Sequence, residues 1–334
     1  MTLRFILAAL FCAVLPSCGS SSSNAESQTT DTSQVPTDGE KQEQGSEDAE
    51  GNDKVIMDGN KLGAWIFYID EPGLIHNNHQ DMANYLADMG VKRVFIKISD
   101  INYQWQNNKI SFTEFSVDCG VWQDACDPSN LEFYKQKGLE VWAWTYNDTH
   151  SYEEQADMLE AAIKVGYDGF VLDIEVEFDG DSESLKQLLE AHKSRFNSLA
   201  NSAPEHFKLA ATTWGNPKDH DMNVALIDQY VDAHIPQTYI EKWGADFIAD
   251  IAGTINIGDC EYRELGATKP IWHIISHEDK LLTAQDFNTF IQYAGPNASV
   301  WRISDSNLMT EASAIDWGNT SFQSQACSQN NFEL

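Results

Sequence analysis

From Lys61 onward, short runs of β-branched and aromatic residues alternate with stretches whose apolar positions recur every three or four residues. The short runs fall at 63–70 (GAWIFYID), 93–99 (RVFIKIS), 139–146 (LEVWAWTY), 169–177 (GFVLDIEVE), 207–214 (FKLAATTW), 232–240 (DAHIPQTYI), 269–276 (KPIWHIIS) and 299–304 (SVWRIS). Helix-like stretches between them include 81–89, 152–165, 182–200, 224–230 and 284–293. Met89-Gly90, Lys137-Gly138 and Asp168-Gly169 stand just before strands, where a helix usually hands over to an αβ loop. No Pro/Ser linker interrupts the rhythm. The pattern predicts an α/β chain with a single (β/α)8 barrel, an architecture of typically ~250 residues. An open doubly wound sheet would normally carry a Gly-rich phosphate fingerprint after a strand, and none is present.

The beginning of the chain does not share this rhythm. Arg4, the apolar run 5–14 and then Leu15-Pro16-Ser17-Cys18 read as an export signal, too short for the ~20 apolar residues that span a bilayer. The four residues ending in Cys18 resemble the bacterial lipobox. That resemblance implies a lipoprotein signal peptide at 1–17, acyl chains on Cys18, and a membrane partner reached through the anchor. Gly19, rather than Asp, follows the Cys, which by the same resemblance favours the outer membrane, facing the periplasm or the exterior. Residues 18–54 are rich in Ser, Gln, Thr, Glu, Asp and Gly and read as a disordered acidic linker; 55–334 then form the barrel.

Charge narrows the partners. The chain has 334 residues and carries 52 Asp+Glu against 21 Lys+Arg, a net charge of −31, with no basic run, so nucleic acid is not an expected partner. Cys119, Cys126, Cys260 and Cys327 remain after the signal; four Cys allow three connectivities, of which Cys119–Cys126 with Cys260–Cys327 is favoured in an exported protein. No C-x-x-C pair, H-x-H or H-E-x-x-H occurs, although His76/His79 and His273/His277 are closely spaced, so no metal or cofactor is expected. There is no G-x-S-x-G elbow and no P-loop.

In such a barrel the reactive groups sit at the C-terminal strand ends. Those ends hold Asp70, Ser99 and Asp100, Trp144 and Tyr146, Asp173, Glu175 and Glu177, Trp214, Gln237 and Tyr239, Ser276 and His277, and Arg302 or Ser304. Aromatic faces stack on the C–H face of a sugar ring while carboxylates and amides bond its hydroxyls, so this mixture suits a polysaccharide or glycan. Within the fourth run, alternation puts Val171, Asp173, Glu175 and Glu177 on one face and Phe170, Leu172, Ile174 and Val176 on the other. The apolar face must meet the outer helices, which turns the acids inward. Several acids in one poorly hydrated mouth cannot all ionise, and one protonated acid beside an ionised neighbour is what glycoside hydrolysis uses.

Residues 167–175 (YDGFVLDIE) resemble the D-G-x-D-x-D-x-E strand-four signature of family 18 glycoside hydrolases, the chitinases and endo-β-N-acetylglucosaminidases, with Val171 where that family has its innermost Asp. Gln237-Thr238-Tyr239 takes the place of that family's M-x-Y and Trp301 that of its floor tryptophan. The chain is also similar to family 25 lysozymes, in the D-x-E of strand four, in Asp70 at the end of strand one and in 95–98 (FIKI), and to uncharacterised bacterial barrels classed with glycoside hydrolases. The resemblance implies Glu175 as general acid/base and Asp173 as the residue that orients the substrate's own N-acetyl group as nucleophile. It also implies Tyr239 bonding the acetamido group and Trp301 under the sugar, while the strand-end positions make Asp70, Trp144, Tyr146, Glu177, Trp214 and Gln237 the further expected substrate contacts. The implied function is cleavage of an N-acetylhexosamine-containing polysaccharide such as peptidoglycan, chitin or an N-glycan core. The alternative is a carbohydrate-binding surface lipoprotein that has the barrel without turnover.

Overall fold

Eight parallel strands close into a barrel in chain order: β1 Gly63–Ile66, β2 Arg93–Asp100, β3 Glu140–Tyr146, β4 Gly169–Asp173, β5 Lys208–Trp214, β6 Ala233–Gln237, β7 Ile274–Ser276 and β8 Ser299–Trp301, which pairs back onto β1. The structure, a computed structural model, describes residues 54–55, 61–70, 74–100, 110–113, 116–199, 202–279, 281–303, 321–323 and 325–328. The signal, the linker, Cys18 and Ser304 lie outside the described residues. Among the described residues, no helix is long and apolar enough to cross a membrane.

Strand alternation divides the apolar residues into two layers. Phe170 and Leu172 of β4, with Ile174 just after it, pack outward with Leu159, Ile163, Leu185 and Leu188 from the helices Tyr152–Val165 and Ser182–Ser198. A second cluster fills the barrel's interior, with Trp65, Phe95, Trp142, Trp144, Val171, Ala210, Ile235 and Trp272 among its members. Hydrogen-bonded register stacks this interior in rows. The lowest row runs Trp65, Phe95, Trp142, Gly169; a Cβ on Gly169 would lie 2.6 Å from the Trp142 ring, so the indole occupies the space a side chain would need. The next holds Lys97, Trp144, Val171 and Ala210, and the one above it Asp100, Tyr146, Asp173 and Thr212. The rows thus pass from aromatic at the bottom to charged at the mouth.

Several expected bounds are corrected. The fourth strand ends at Asp173: Ile174 still donates to the Thr212 carbonyl, but Glu175 leaves the extended region and Val176–Phe178 form a 3-10 turn. Val176 is therefore exposed rather than packed under the helices, and Phe178 is buried there instead. The first strand stops at Ile66, four residues before Asp70, and the sixth at Gln237. Of the run 269–276 only Ile274–Ser276 is strand, although Ile271 still bridges His234. The helices Pro128–Gln136 and Ile251–Glu264 lie outside the expected helical stretches; side-chain caps from Asp127 and Asp250 start them.

Two disulfides join Cys119 to Cys126 and Cys260 to Cys327. The first closes a 3-10 turn that carries Trp122 to the edge of the mouth, and the second ties the helix Ile251–Glu264 to the C-terminal segment across a separation of 67 residues. Loop-closure entropy for such a span makes Cys260→Ser with Cys327→Ser cost about 4 kcal/mol. Urea unfolding of the double variant beside the native chain checks this.

Candidate active site

The chemistry gathers where β4 runs out. Asp173 is the last residue of β4 and is 6% exposed; Glu175 follows two residues later, partly exposed at the mouth. Gln237, at the end of β6 and itself buried, joins them: its Nε2 donates to Asp173 Oδ1 at 3.1 Å and to Glu175 Oε1 at 2.8 Å. One amide thus fixes both carboxylates from across the barrel. Tyr146, at the end of β3, donates its hydroxyl to Glu177 Oε1 at 2.6 Å and so holds the third acid at the rim. Phe67, Tyr239 and Trp301 pack onto the interior cluster from above, with Trp301 edge-on to Trp65, Phe67 and Trp144 at 5.5–6.2 Å between ring centroids.

Burial is the largest influence on both acids. It holds Asp173 well above the usual carboxylate range; the Glu175 charge adds to this, and Lys97 opposes it. Glu175 is raised as well, again first by burial, against a hydrogen bond from Gln237 that favours its ionised form, with Glu177 pushing upward. Asp173 and Glu175 share a hydrogen bond that favours a proton on Asp173 and a charge on Glu175. Both acids are therefore harder to ionise than ordinary carboxylates, Asp173 the more so. Burial also lifts the Tyr146 and Tyr239 hydroxyls, with the neighbouring acids reinforcing both, so each phenol remains a donor.

Of the residues the sequence singles out, Asp173, Glu175, Glu177, Tyr146, Gln237, Tyr239 and Trp301 converge on this mouth. Three do not. Trp144 is 1% exposed, its indole N–H donates to the Ile66 carbonyl and Lys97 lies over its face, so it forms the wall beneath the mouth and cannot stack on a sugar. Asp70 is exposed beyond the end of β1 and lines a small hollow with Tyr68, Trp122 and Asp124, which Phe67 and Lys97 also line. Trp214 stacks on His220 at 4.0 Å between centroids, with Asp179 accepting from the indole and bonding His220 Nδ1, so one indole face is already covered. Asp168 of the signature sits at the opposite end of the barrel, where it accepts from the Val141 N–H and pairs with Lys135. Sequence reasoning gave neither Lys97 nor Asp100 a role; the available signal was a lysine on the inward face of the run 93–99, beside Phe95 and Ser99.

Solved structures of several enzymes share the (β/α)8 fold of this chain. A class V chitinase from Nicotiana tobaccum superposes with a TM-score of 0.54 at 12% identity, covering 76% of this chain and 98% of that one. The spore cortex-lytic enzyme of Bacillus cereus gives 0.52 at 11% identity over 76% of this chain and 73% of its own. A family 18 chitinase from Pseudoalteromonas aurantia gives 0.50 at 12% over 76% and 98%. At these identities the likeness establishes the fold. No family model and no curated protein matches the chain by sequence.

Proposed function

We propose that this barrel hydrolyses a glycosidic bond next to a 2-acetamido sugar, with Glu175 as general acid/base and Asp173 as its partner. The observation that supports the reading is the pair itself: two carboxylates at the mouth of a (β/α)8 barrel, bridged by one amide and both made harder to ionise by burial. On this reading the acetamido N–H of the bound sugar takes Asp173 as its acceptor, and the shared proton passes along the Asp173–Glu175 bond. Glu175 gives that proton to the leaving oxygen as the acetamido carbonyl oxygen attacks the anomeric carbon. Glu175, now ionised, takes a proton from the water that opens the cyclic intermediate. Tyr239, held as a neutral donor, bonds the acetamido oxygen, and Trp301 lies under the ring. Chitin, peptidoglycan and N-glycan cores all present this group.

Incubation of the protein with chitin oligomers, purified peptidoglycan and N-glycans, followed by mass spectrometry of the products, tests the reading. New reducing ends from at least one of the three are expected. Tight binding to any of them without cleavage would instead favour the carbohydrate-binding alternative. Gln237→Leu adds a check on the electrostatics: loss of a donor that favours ionised Glu175 moves the Glu175-governed limb of the pH–rate profile to higher pH. We also propose that the protein is held at a bacterial outer membrane by lipid on Cys18. Cys18→Ser is then expected to move the protein from the membrane pellet to the soluble fraction, and unchanged pelleting would remove the anchor.

A further inference from the structure

Register within the barrel identifies a charged pair that strand four does not supply. Lys97, Trp144, Val171 and Ala210 form one hydrogen-bonded row, directly below the row that holds Asp173. At this level β4 offers only Val171, the position where the family 18 signature has an acid, and the ionic group comes from β2. The Lys97 side chain is 3% exposed; its Nζ lies 2.7 Å from Asp100 Oδ2 and 4.4, 4.7 and 5.4 Å from the ring centroids of Phe67, Trp144 and Trp122. The aromatic faces attract the ammonium and exclude water but accept no conventional hydrogen bond. Its one ion-pair partner among the described residues is Asp100.

A bulge puts Asp100 there. Lys97 pairs with Trp144, but Ser99, not Ile98, pairs with Thr145, so one extra residue shifts the alternation and Asp100 falls opposite Tyr146, in the row of Asp173. Asp100 Oδ1 is buried without a partner among the described residues. Both members of the pair act on Asp173 through space, with opposite signs. The other charged or titratable groups facing the two acids are Glu177 beyond β4, Tyr146 of β3 and Tyr239 beyond β6, with Glu278 beyond β7 and Arg302 beyond β8 acting on Tyr239. Arg302 bonds Glu278 at 3.1 Å, which leaves Lys97 as the cation set beneath the acids.

We propose that Lys97 and Asp100 are positioning residues that divide charge and proton between Asp173 and Glu175, in place of an inner acid on strand four. Lys97 and Asp100 lie 2.7 Å apart, so each offsets the other's charge beneath the acids. Its catalytic consequence rests on the reading of Asp173 and Glu175 given above; the charge division does not.

Carbon-detected NMR titration of Asp and Glu side-chain carboxyls in the whole protein, assigned with Asp173→Asn and Glu175→Gln, reads that division without any substrate. Lys97→Met is expected to raise the midpoints of the Asp173/Glu175 pair by about one pH unit, and Asp100→Asn to lower them by a similar amount. The double variant returns close to the native midpoints, an opposition of signs that loss of packing alone would not produce. Midpoints unmoved in a folded Asp100→Asn variant would overturn the proposal, and this near-isosteric change keeps it testable should Lys97→Met fail to fold. A protein that cleaves no sugar yet shows the opposed shifts would refute the proposed function and leave the charge division standing.

Discussion

Glu175→Gln is expected to reduce release of reducing ends by on the order of 10²–10⁴-fold, the usual contribution of a general acid/base, while retention on the polysaccharide stays nearly native. The geometry explains the split. Gln at 175 keeps the shape of Glu and an oxygen for the Gln237 amide, so the mouth stays intact while the group that moves the proton is gone. A loss of binding equal to the loss of turnover would instead show that the variant disturbs the site as a whole. Measuring rate and retention on the same preparation separates the two outcomes.

Asp173→Asn is expected to lower activity and raise stability together. Burial and the Glu175 charge put the folded-state pKa of Asp173 above its unfolded value, ~4. Below ~4 the carboxyl is protonated in both states and contributes no pH dependence. As pH rises through the window between the two values, the unfolded chain releases a proton that the folded chain keeps, so stability falls. Asn has no such proton to lose. The variant should therefore melt above the native protein at neutral pH, each ~1 kcal/mol appearing as about 2–4 °C in a domain of this size, and the gap should close as the pH approaches 4. A gap that is constant across this range would point to packing rather than ionisation. Gain of stability with loss of turnover is the pattern of a site whose strained electrostatics serve its chemistry.

Alternation alone is sufficient to orient β4, because the set Phe170, Leu172, Ile174 has one place to go, against the helices, and Asp173 is then carried into the barrel. The number and order of the strands are legible because short runs rich in β-branched and aromatic residues alternate with stretches of helical periodicity. Loop conformation is less legible. The 3-10 turn at Val176–Phe178 is decided by where Phe178 finds burial, which the period-two pattern of 169–177 does not contain. The β2 bulge is likewise invisible in the sequence, so strict alternation aims Ser99 inward when Asp100 takes that place. Aromatic residues at strand ends are the least readable of all. Trp144 is buried in the wall while Trp301 is partly exposed, and nothing in the two runs themselves distinguishes them.

The proton shared by Asp173 and Glu175 can be observed directly in the infrared carboxyl region, by subtracting the spectrum of Asp173→Asn from that of the native protein at neutral pH. A carboxylic-acid C=O band present in the native protein and missing from the variant is expected. A native spectrum that shows ionised carboxylates alone would contradict a water-poor mouth in which only one of the two acids stays charged.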